Sequence, residues 1–425
     1  MTTATFHNQP KSKIKSGSFQ CRSCGSSHGM EALDLGRQPL ANNLLPAGGL
    51  EGETEPRCPL RLAVCLDCHL MQLLDLVPPT QLFSEYLYFS SFSDSMLQHA
   101  RLAVSRYANE FALGEKNLVV EVASNDGYLL QYFKERGIPA LGIEPAENIA
   151  KVAEQKGIET RVEFFTKELA EALVREGKSA DLILGNNVFA HAPNTNDFVA
   201  AISSLLKPSG RAILEFPWGL EMVRNLEFDT IYHEHVFYFN LVPLIPLFQR
   251  HGMEIFRVER LPIHGGSLRI FASRKGDYEV EDSVRELLRE ERESGVETAE
   301  HYSLFTDAVE RLREKLLSML HLIKSEGGTI AAYGASAKGS TLLNFCNIGL
   351  ETLEFIADRS TYKQGRLSPG MHLPILPAEA LVERKPDYAL LLTWNFAQEI
   401  LSQQETYRTE GGRFIIPIPQ PRVVS

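Results

Sequence analysis

Residues 117–134 read NLVVEVASNDGYLLQYFK: an apolar run, a turn of small and polar residues, then apolar positions at helical spacing. A strand buried on both faces reads as a near-continuous apolar run, and a short turn into a helix makes it the first half of a βαβ unit. The pattern repeats downstream. ALGIEP (140–145), DLILGNNV (181–188) and GRAILEFP (210–217) are strand-like, and YLLQYFKERG, ENIAKVAEQKG and FVAAISSLLKPSG between them are helical. Strands alternating with helices predict a parallel, doubly wound α/β sheet. MEIFRVERL (253–261) and GSLRIFASR (266–274) lie closer together, which predicts an antiparallel hairpin at one edge.

The flanks differ from this core. Residues 20–75 are rich in Gly, Pro, Asn and Cys and short of long periodic segments, which predicts a small loop-built module in need of a staple. Residues 277–325 are highly charged and helical by period, with apolar residues on one face, and read as a solvated helical bridge. A second series follows: TIAAYGAS (329–336), a helix, LEFIADRS (353–360), a loop, DYALLLTW (387–394) and RFIIPIP (413–419), a smaller Rossmann-like unit. The expected division is therefore 1–80 (tail and cysteine module), 81–275 (α/β core), 276–325 (helical connector) and 326–425 (second Rossmann-like domain).

Composition narrows the function. A net charge of −11 over 425 residues argues against a general nucleic-acid binder, which needs a basic footprint. No apolar stretch approaches the roughly 18 residues of a membrane span, and the N-terminal tail lacks the apolar segment of a secretory signal, so a cytoplasmic location is expected. Five of the six cysteines lie between positions 21 and 68. Cys21-x-x-Cys24 and Cys65-x-x-Cys68 are two knuckles 40 residues apart, the supply of four thiolates that a closed, structural Zn²⁺ site needs. Cys58 and His69 are left outside that set.

The turn Glu121-Val-Ala-Ser-Asn-Asp-Gly127 carries ligand chemistry. An acidic residue and a glycine-bearing turn after the first strand, with a second acid closing the next strand, suit either S-adenosylmethionine or NAD. Glu144 stands 23 residues after Glu121 and fits the second, ribose-binding position. The G-x-G-x-x-G that cradles a pyrophosphate is missing, and acids in the turn would repel phosphate, which favours the methyl donor. Ala123, Asn125 and Gly127 belong to this turn. Asn186 and Asn187, in GNNVFAH (185–191), end the fourth strand and could hold the amino-acid part of the cofactor; His191 would then approach the reacting methyl. On residues alone His191 could equally be structural, and the turn an ordinary capped βα turn.

FDTIYHEHVFYF (228–239) joins these pieces. With the two knuckles, ASNDG and NNVFAH, it resembles the sugar C-3 methyltransferases of deoxysugar biosynthesis, in register to LLLTWNF (390–396). The resemblance implies a zinc-binding module, a class I methyltransferase core with a Rossmann-like sheet, and a C-terminal Rossmann-like domain that helps hold a sugar nucleotide. It implies a catalytic cluster of Tyr232, Glu234 and His235 with His191 beside it, and an aromatic contribution from Tyr86, with Tyr88 the alternative. The family often carries Gly where this chain has Ala123. The implied acceptor is a nucleotide-linked 4-keto-6-deoxysugar; the sequence is silent on oligomeric state, and a monomer is compatible with it.

The residue types suit that chemistry. A C-4 ketone acidifies the C-3 proton. Histidine titrates near the working pH, so His235 is the expected base, and Tyr232 a donor to the enolate oxygen. Glu234 would orient a histidine or a sugar hydroxyl. Y-H-E-H could also be a capping segment; it is not a zincin motif, whose histidines stand four apart. His264-Gly265-Gly266-Ser267 could border the same pocket. In the second unit, Ser336, Lys338 and Gly339 lie on a strand-to-helix turn suited to a diphosphate. Asp358 could take a ribose hydroxyl and Lys363 a phosphate. A ketone not on a sugar, or a non-catalytic sugar-nucleotide-binding homologue, remain the alternatives.

Overall fold

The computed structural model describes residues 19–49, 54–82, 89–92, 94–263 and 265–425; Tyr86, Tyr88 and His264 lie outside them. The core sheet runs Glu159–Arg161, Ala140–Ile143, Val119–Val122, Ala180–Asn186, Leu206–Pro217, Ser267–Arg274, Met253–Leu261. The first five strands are parallel, and Ser267–Arg274 is antiparallel to both of its neighbours. All four residues of Val119–Val122 are buried, as the apolar run required. Strand order reverses between Val119–Val122 and Ala180–Asn186, the switch point at which open α/β sheets bind ligands. The edge strand Glu159–Arg161 was invisible in the sequence because its three residues are polar.

The cysteine module is not loop-built. Gly29–Pro39 pairs antiparallel with Arg57–Cys65, which pairs with Met71–Leu73. Register shifts between Glu31 and Leu33, and between Asp34 and Arg37, break the period-2 alternation that would have announced the long strand. The sheet then crosses into the core. Met71 and Gln72 pair with Tyr238 and Phe237, the two residues of the strand that follows Y-H-E-H.

Nor is the charged connector a solvated bridge. Helix Ala299–Ser325 buries Tyr302, Phe305, Val309, Leu312, Leu316, Leu320 and Ile323 along one face. These residues share one apolar cluster with Met30 and Leu62 of the cysteine module and Ile330 and Leu342 of the C-terminal unit. Each fully buried side chain of this size contributes about 1.5–3 kcal/mol, so the helix is a common core for the flanking units. The charges that suggested solvation occupy its outer face.

The C-terminal sheet runs Ile375–Pro377, Ile356–Asp358, Ile330–Tyr333, Tyr388–Leu391, Arg413–Ile416, Arg422–Val424, parallel except for the last strand. Its order reverses between Ile330–Tyr333 and Tyr388–Leu391. Both switch points open onto one cavity, and the segment from Phe228 to Tyr238 lies between them.

Candidate active site

A cavity of ≈ 780 Å³ is bounded by the core turn, the segment after Ala180–Asn186, Y-H-E-H and the C-terminal unit. Of the residues singled out in the sequence, Ala123, Asn125, Glu144, Asn186, Asn187, His191, Tyr232, His235, Ser336, Lys338 and Lys363 line it. Glu121, Gly127, Glu234, Gly339 and Asp358 stand behind its wall.

His235 and Tyr232 form a pair. His235 Nδ1 lies 3.0 Å from the Thr230 carbonyl oxygen, and its Nε2 lies 2.8 Å from the Tyr232 hydroxyl. A carbonyl only accepts, so Nδ1 carries a proton and, in the neutral ring, the Nε2 lone pair receives the tyrosine proton. Tyr232 therefore points its hydrogen at the base. The His191 ring meets His235 edge-on, with centroids 4.9 Å apart. Burial pushes His191 down to about 4, so it is neutral at pH 7 and does not oppose a charge forming on His235.

Glu234 turns the other way. It is buried and accepts a hydrogen bond from Asn42 Nδ2 at 2.6 Å, so it orients Asn42, which lines the cavity, and no histidine. Burial pushes it up to about 7, with Asn42 pulling the other way. His233 Nε2 donates to the Pro59 carbonyl (3.2 Å), and Leu73 N–H donates to the Val236 carbonyl (2.8 Å). From the C-terminal unit, Thr341 Oγ1 donates to the Ile231 carbonyl (3.2 Å) and Trp394 Nε1 to Asp229 (2.7 Å). The two flanking units thus hold one segment of the core. Sequence reading missed Asn42, Thr230 and Thr341, whose roles are set by partners far along the chain; Trp394 sat unassigned in LLLTWNF.

The core turn suits a cationic ligand. Glu121 is buried in the strand, and its Oε2 has no hydrogen-bond partner among the described residues. Burial, reinforced by Glu144 and Asp126, pushes its carboxyl well above the usual range, a cost that a nearby ammonium or sulfonium would offset. Glu144 accepts from the Asn125 N–H (3.0 Å) and the Ala146 N–H (2.9 Å), which fixes the turn while each oxygen keeps a second lone pair. The Asn125 side chain accepts from Ser90 N–H (2.9 Å), and Ser91 hydrogen-bonds Asp126, so the segment at 89–92 is tied over the turn.

The second unit departs from expectation in detail. Asp358 accepts from the Ala335 and Ser360 N–H groups, both at 2.7 Å, and shapes its own loop instead of facing the cavity. Gly339 packs on Leu392, and Ser336 Oγ takes its N–H (3.0 Å) as the helix cap. Lys338 lies 3.9 Å from Glu227 and 5.0 Å from the centre of the Trp394 ring. Burial pushes Glu227 up to about 7 against the pull of Lys338.

At the other end, one Sγ from each of Cys21, Cys24, Cys65 and Cys68 lies within 4.8 Å of the rest, and two of the pairs are at 3.5 and 3.6 Å. Ligands about 2.3 Å from a tetrahedral Zn²⁺ stand about 3.8 Å apart, so the four sulfurs fit the ion. Cys58 and His69 are not in the cluster.

Comparison with known proteins fits this geometry. Family models match in chain order: a zinc binding domain over residues 21–83, a methyltransferase domain over 96–258 and a C-methyltransferase C-terminal domain over 262–419. C-methyltransferase NovU of Streptomyces niveus is 39% identical over 411 residues, 96% of this chain and 97% of the relative. The chain belongs to the C-methyltransferase family. This C-methyltransferase depends on S-adenosylmethionine, and its four clustered cysteines form the zinc-binding module. A ubiquinone biosynthesis O-methyltransferase of Leptothrix cholodnii is 36% identical over 101 residues, 23% of this chain and 42% of the relative. Magnesium protoporphyrin IX methyltransferase from Synechocystis PCC 6803 superposes with a TM-score of 0.33 at 17% identity, covering 42% of this chain and 79% of that one. No helix among the described residues is long and apolar enough to cross a membrane.

The core turn of this C-methyltransferase holds a strained position. Ala123, Asn125 and Gly127 adopt φ of 54°, 50° and 74°. Asn tolerates this region and Gly prefers it, whereas Ala pays about 1–2 kcal/mol. Ala123→Gly should stabilise the fold by up to about 1.6 kcal/mol, the strain relieved less the roughly 0.4–1 kcal/mol of freedom an unfolded glycine regains. Urea unfolding of both proteins measures it; a lower midpoint for the glycine form would mean that the Ala123 methyl packs better than it strains.

Proposed function

We propose that the enzyme methylates C-3 of a nucleotide-linked 4-keto-6-deoxysugar through an enolate. The observation that carries this reading is the Thr230–His235–Tyr232 chain, set in a cavity onto which the switch points of both Rossmann-like sheets open. One sheet suits a cationic methyl donor. The other brings Lys338 and Lys363 to the same space for an anionic acceptor.

When bound, S-adenosylmethionine supplies an electrophilic methyl group on a sulfonium. Asn125, Glu144, Asn186 and Asn187 would hold it, with Glu121 countering its positive charge from behind the turn. The C-3 proton passes to the Tyr232 oxygen as the phenol proton passes to His235 Nε2. The Thr230 carbonyl steadies the imidazolium through Nδ1–H. Neutral His191 donates to the C-4 oxygen as negative charge develops there. The cavity residues would hold the enolate carbon in line with that methyl and its bond to sulfur, so much of the rate comes from placement. Glu234 acts indirectly, through Asn42. This revises the simpler scheme in which Tyr232 serves the enolate oxygen, because its hydrogen is directed at His235.

Incubation with S-adenosylmethionine and the dTDP, GDP and CDP forms of a 4-keto-6-deoxysugar tests the reading by mass. One of them should gain a single methyl, with the added carbon on C-3 by NMR. Methylation of none, alongside methylation of a ketone lacking a nucleotide, would refute the acceptor class.

A further inference from the structure

The cysteine module reaches the catalytic cavity with one side chain. Of its described residues between 19 and 73, only Asn42 lines that space. The Gly265–Ser267 turn, expected at this pocket, borders a neighbouring cleft instead. In the scheme above, Tyr232, His235 and His191 serve the C-3 proton and the C-4 oxygen, and no residue reads the other substituents of the ring. Asn42 is joined to that group through Glu234, the residue before His235, and no step uses the rest of its amide.

An asparagine in a turn commonly serves the turn itself, its side chain accepting from a backbone N–H two residues on. Here the backbone closes the turn alone. Asn43 N–H donates to the Leu40 carbonyl (3.0 Å) and Leu44 N–H to the Asn42 carbonyl (2.9 Å). Leu45 then exchanges both of its backbone bonds with Leu367 of the C-terminal unit, at 3.0 and 2.9 Å. The position of Asn42 is therefore fixed without its side chain, whose Nδ2 reaches across to Glu234 Oε1 at 2.6 Å.

That bond is a poor device for stability and a good one for direction. Glu234 is buried, and Asn42 is the one side chain that bonds it among the described residues. A buried carboxylate with one neutral partner stabilises less than an apolar residue of the same shape would. An ionised carboxylate only accepts, however, so Nδ2 must face Glu234 and Oδ1 cannot. This leaves the Oδ1 lone pairs and the second N–H for the cavity. Together they complement a sugar hydroxyl, which both accepts and donates.

We infer that Asn42 is a specificity residue of this enzyme: its amide hydrogen-bonds a hydroxyl on C-2 or C-3 of the acceptor ring, and Glu234 is the positioning residue that aims it. The inference rests on the acceptor reading above. It places recognition of the sugar ring on the zinc-binding module, one residue's reach from the base in the core.

The test compares kcat/KM for the nucleotide-linked 4-keto-6-deoxysugar that the full-length enzyme methylates with kcat/KM for its 2-deoxy and 3-deoxy forms. The wild-type enzyme should lose about tenfold or more on one deoxy form, because a group built to bond a hydroxyl is left unpaired without it. Asn42→Ala should lose the same factor on the parent sugar and nothing on that deoxy form, so the preference disappears. Retained zinc in the variant shows that its module is folded. Glu234→Gln leaves a partner for Nδ2 but lets the Asn42 amide turn either way, so it should weaken the preference in the wild-type background and change nothing further in Asn42→Ala. Equal losses on all three sugars in Asn42→Ala, an undiminished preference there, or no preference in the wild-type enzyme overturns the inference while the proposed reaction stands. If the wild-type enzyme methylates no nucleotide-linked sugar, the acceptor reading itself fails, and the inference falls with it.

Discussion

Replacing His235 by Asn should lower kcat by about 10²–10⁴-fold, the usual worth of a general base, while the KM for the keto acceptor changes little. The asparagine amide can still donate to the Thr230 carbonyl, 3.0 Å from His235 Nδ1, so the local backbone should survive and the loss should be chemical. Solvent exchange at C-3 without S-adenosylmethionine isolates proton removal from methyl transfer. His235→Asn should abolish exchange. Tyr232→Phe discriminates further, because the hydroxyl 2.8 Å from Nε2 is the relay in the scheme above. Exchange undiminished in Tyr232→Phe would show that His235 reaches C-3 directly, and exchange retained in both variants would remove the pair from the reaction. The pH profile adds a check. His191 is held down to about 4 by burial, so it stays neutral from pH 5 upward. An acid limb in kcat above pH 5 therefore excludes His191; Glu234 and Glu227, both pushed up to about 7 by burial, contribute to it, and the part that disappears in His235→Asn belongs to the Tyr232–His235 pair.

Local signals carried much of this architecture, and partners distant in sequence carried the remainder. The parallel core was legible because its strands are buried on both faces and leave near-continuous apolar runs such as Leu118–Val122, broken only by Glu121. Strands Glu159–Arg161 and Ile375–Pro377 were not, since three residues at a sheet edge carry no period. The long strand Gly29–Pro39 was hidden by its two register shifts. Helix Ala299–Ser325 showed an apolar face, but nothing in its own sequence says that two other units cover that face. The site divides in the same way. Cysteine spacing suffices for the metal cluster because four thiols have few other reasons to pair so regularly. Tyr232, His235 and His191 could be named only through the family resemblance of their motifs, and their hydrogen-bond order could not be named at all: it depends on the Thr230 carbonyl, and a backbone group leaves no mark on residue type. Asp358 and Gly339 look like ligand residues by position, yet their polar groups are used locally by Ala335, Ser360 and Ser336.

Removing zinc should cost activity as well as stability, and the reason is the sheet that the metal staples. Binding of a structural Zn²⁺ by four thiolates is worth on the order of 10 kcal/mol, and for a module this small that is folding free energy. Chelation, or Cys24→Ser and Cys68→Ser, should therefore unfold residues 21–73 first, seen as new proteolytic cleavage between the two knuckles. A staple of purely local value would leave methyl transfer intact. Here it cannot, because the module grips the catalytic segment at consecutive places: Pro59 holds His233, Asn42 holds Glu234, Leu73 holds the Val236 carbonyl, and Met71–Gln72 pair with Phe237–Tyr238. His235 sits in the middle of that grip. Its alignment with Thr230 and Tyr232 should loosen when the sheet edge is lost, so kcat should fall by at least about tenfold, as misplacement of a reacting group by about an ångström does. Affinity for S-adenosylmethionine should change far less, since the core turn draws its hydrogen bonds from Glu144 and from Ser90 and Ser91, outside residues 21–73. Calorimetry on the chelated enzyme, with zinc added back, measures both. Cleavage between the knuckles with full turnover retained would show that the catalytic segment holds itself, and that the metal serves the module alone.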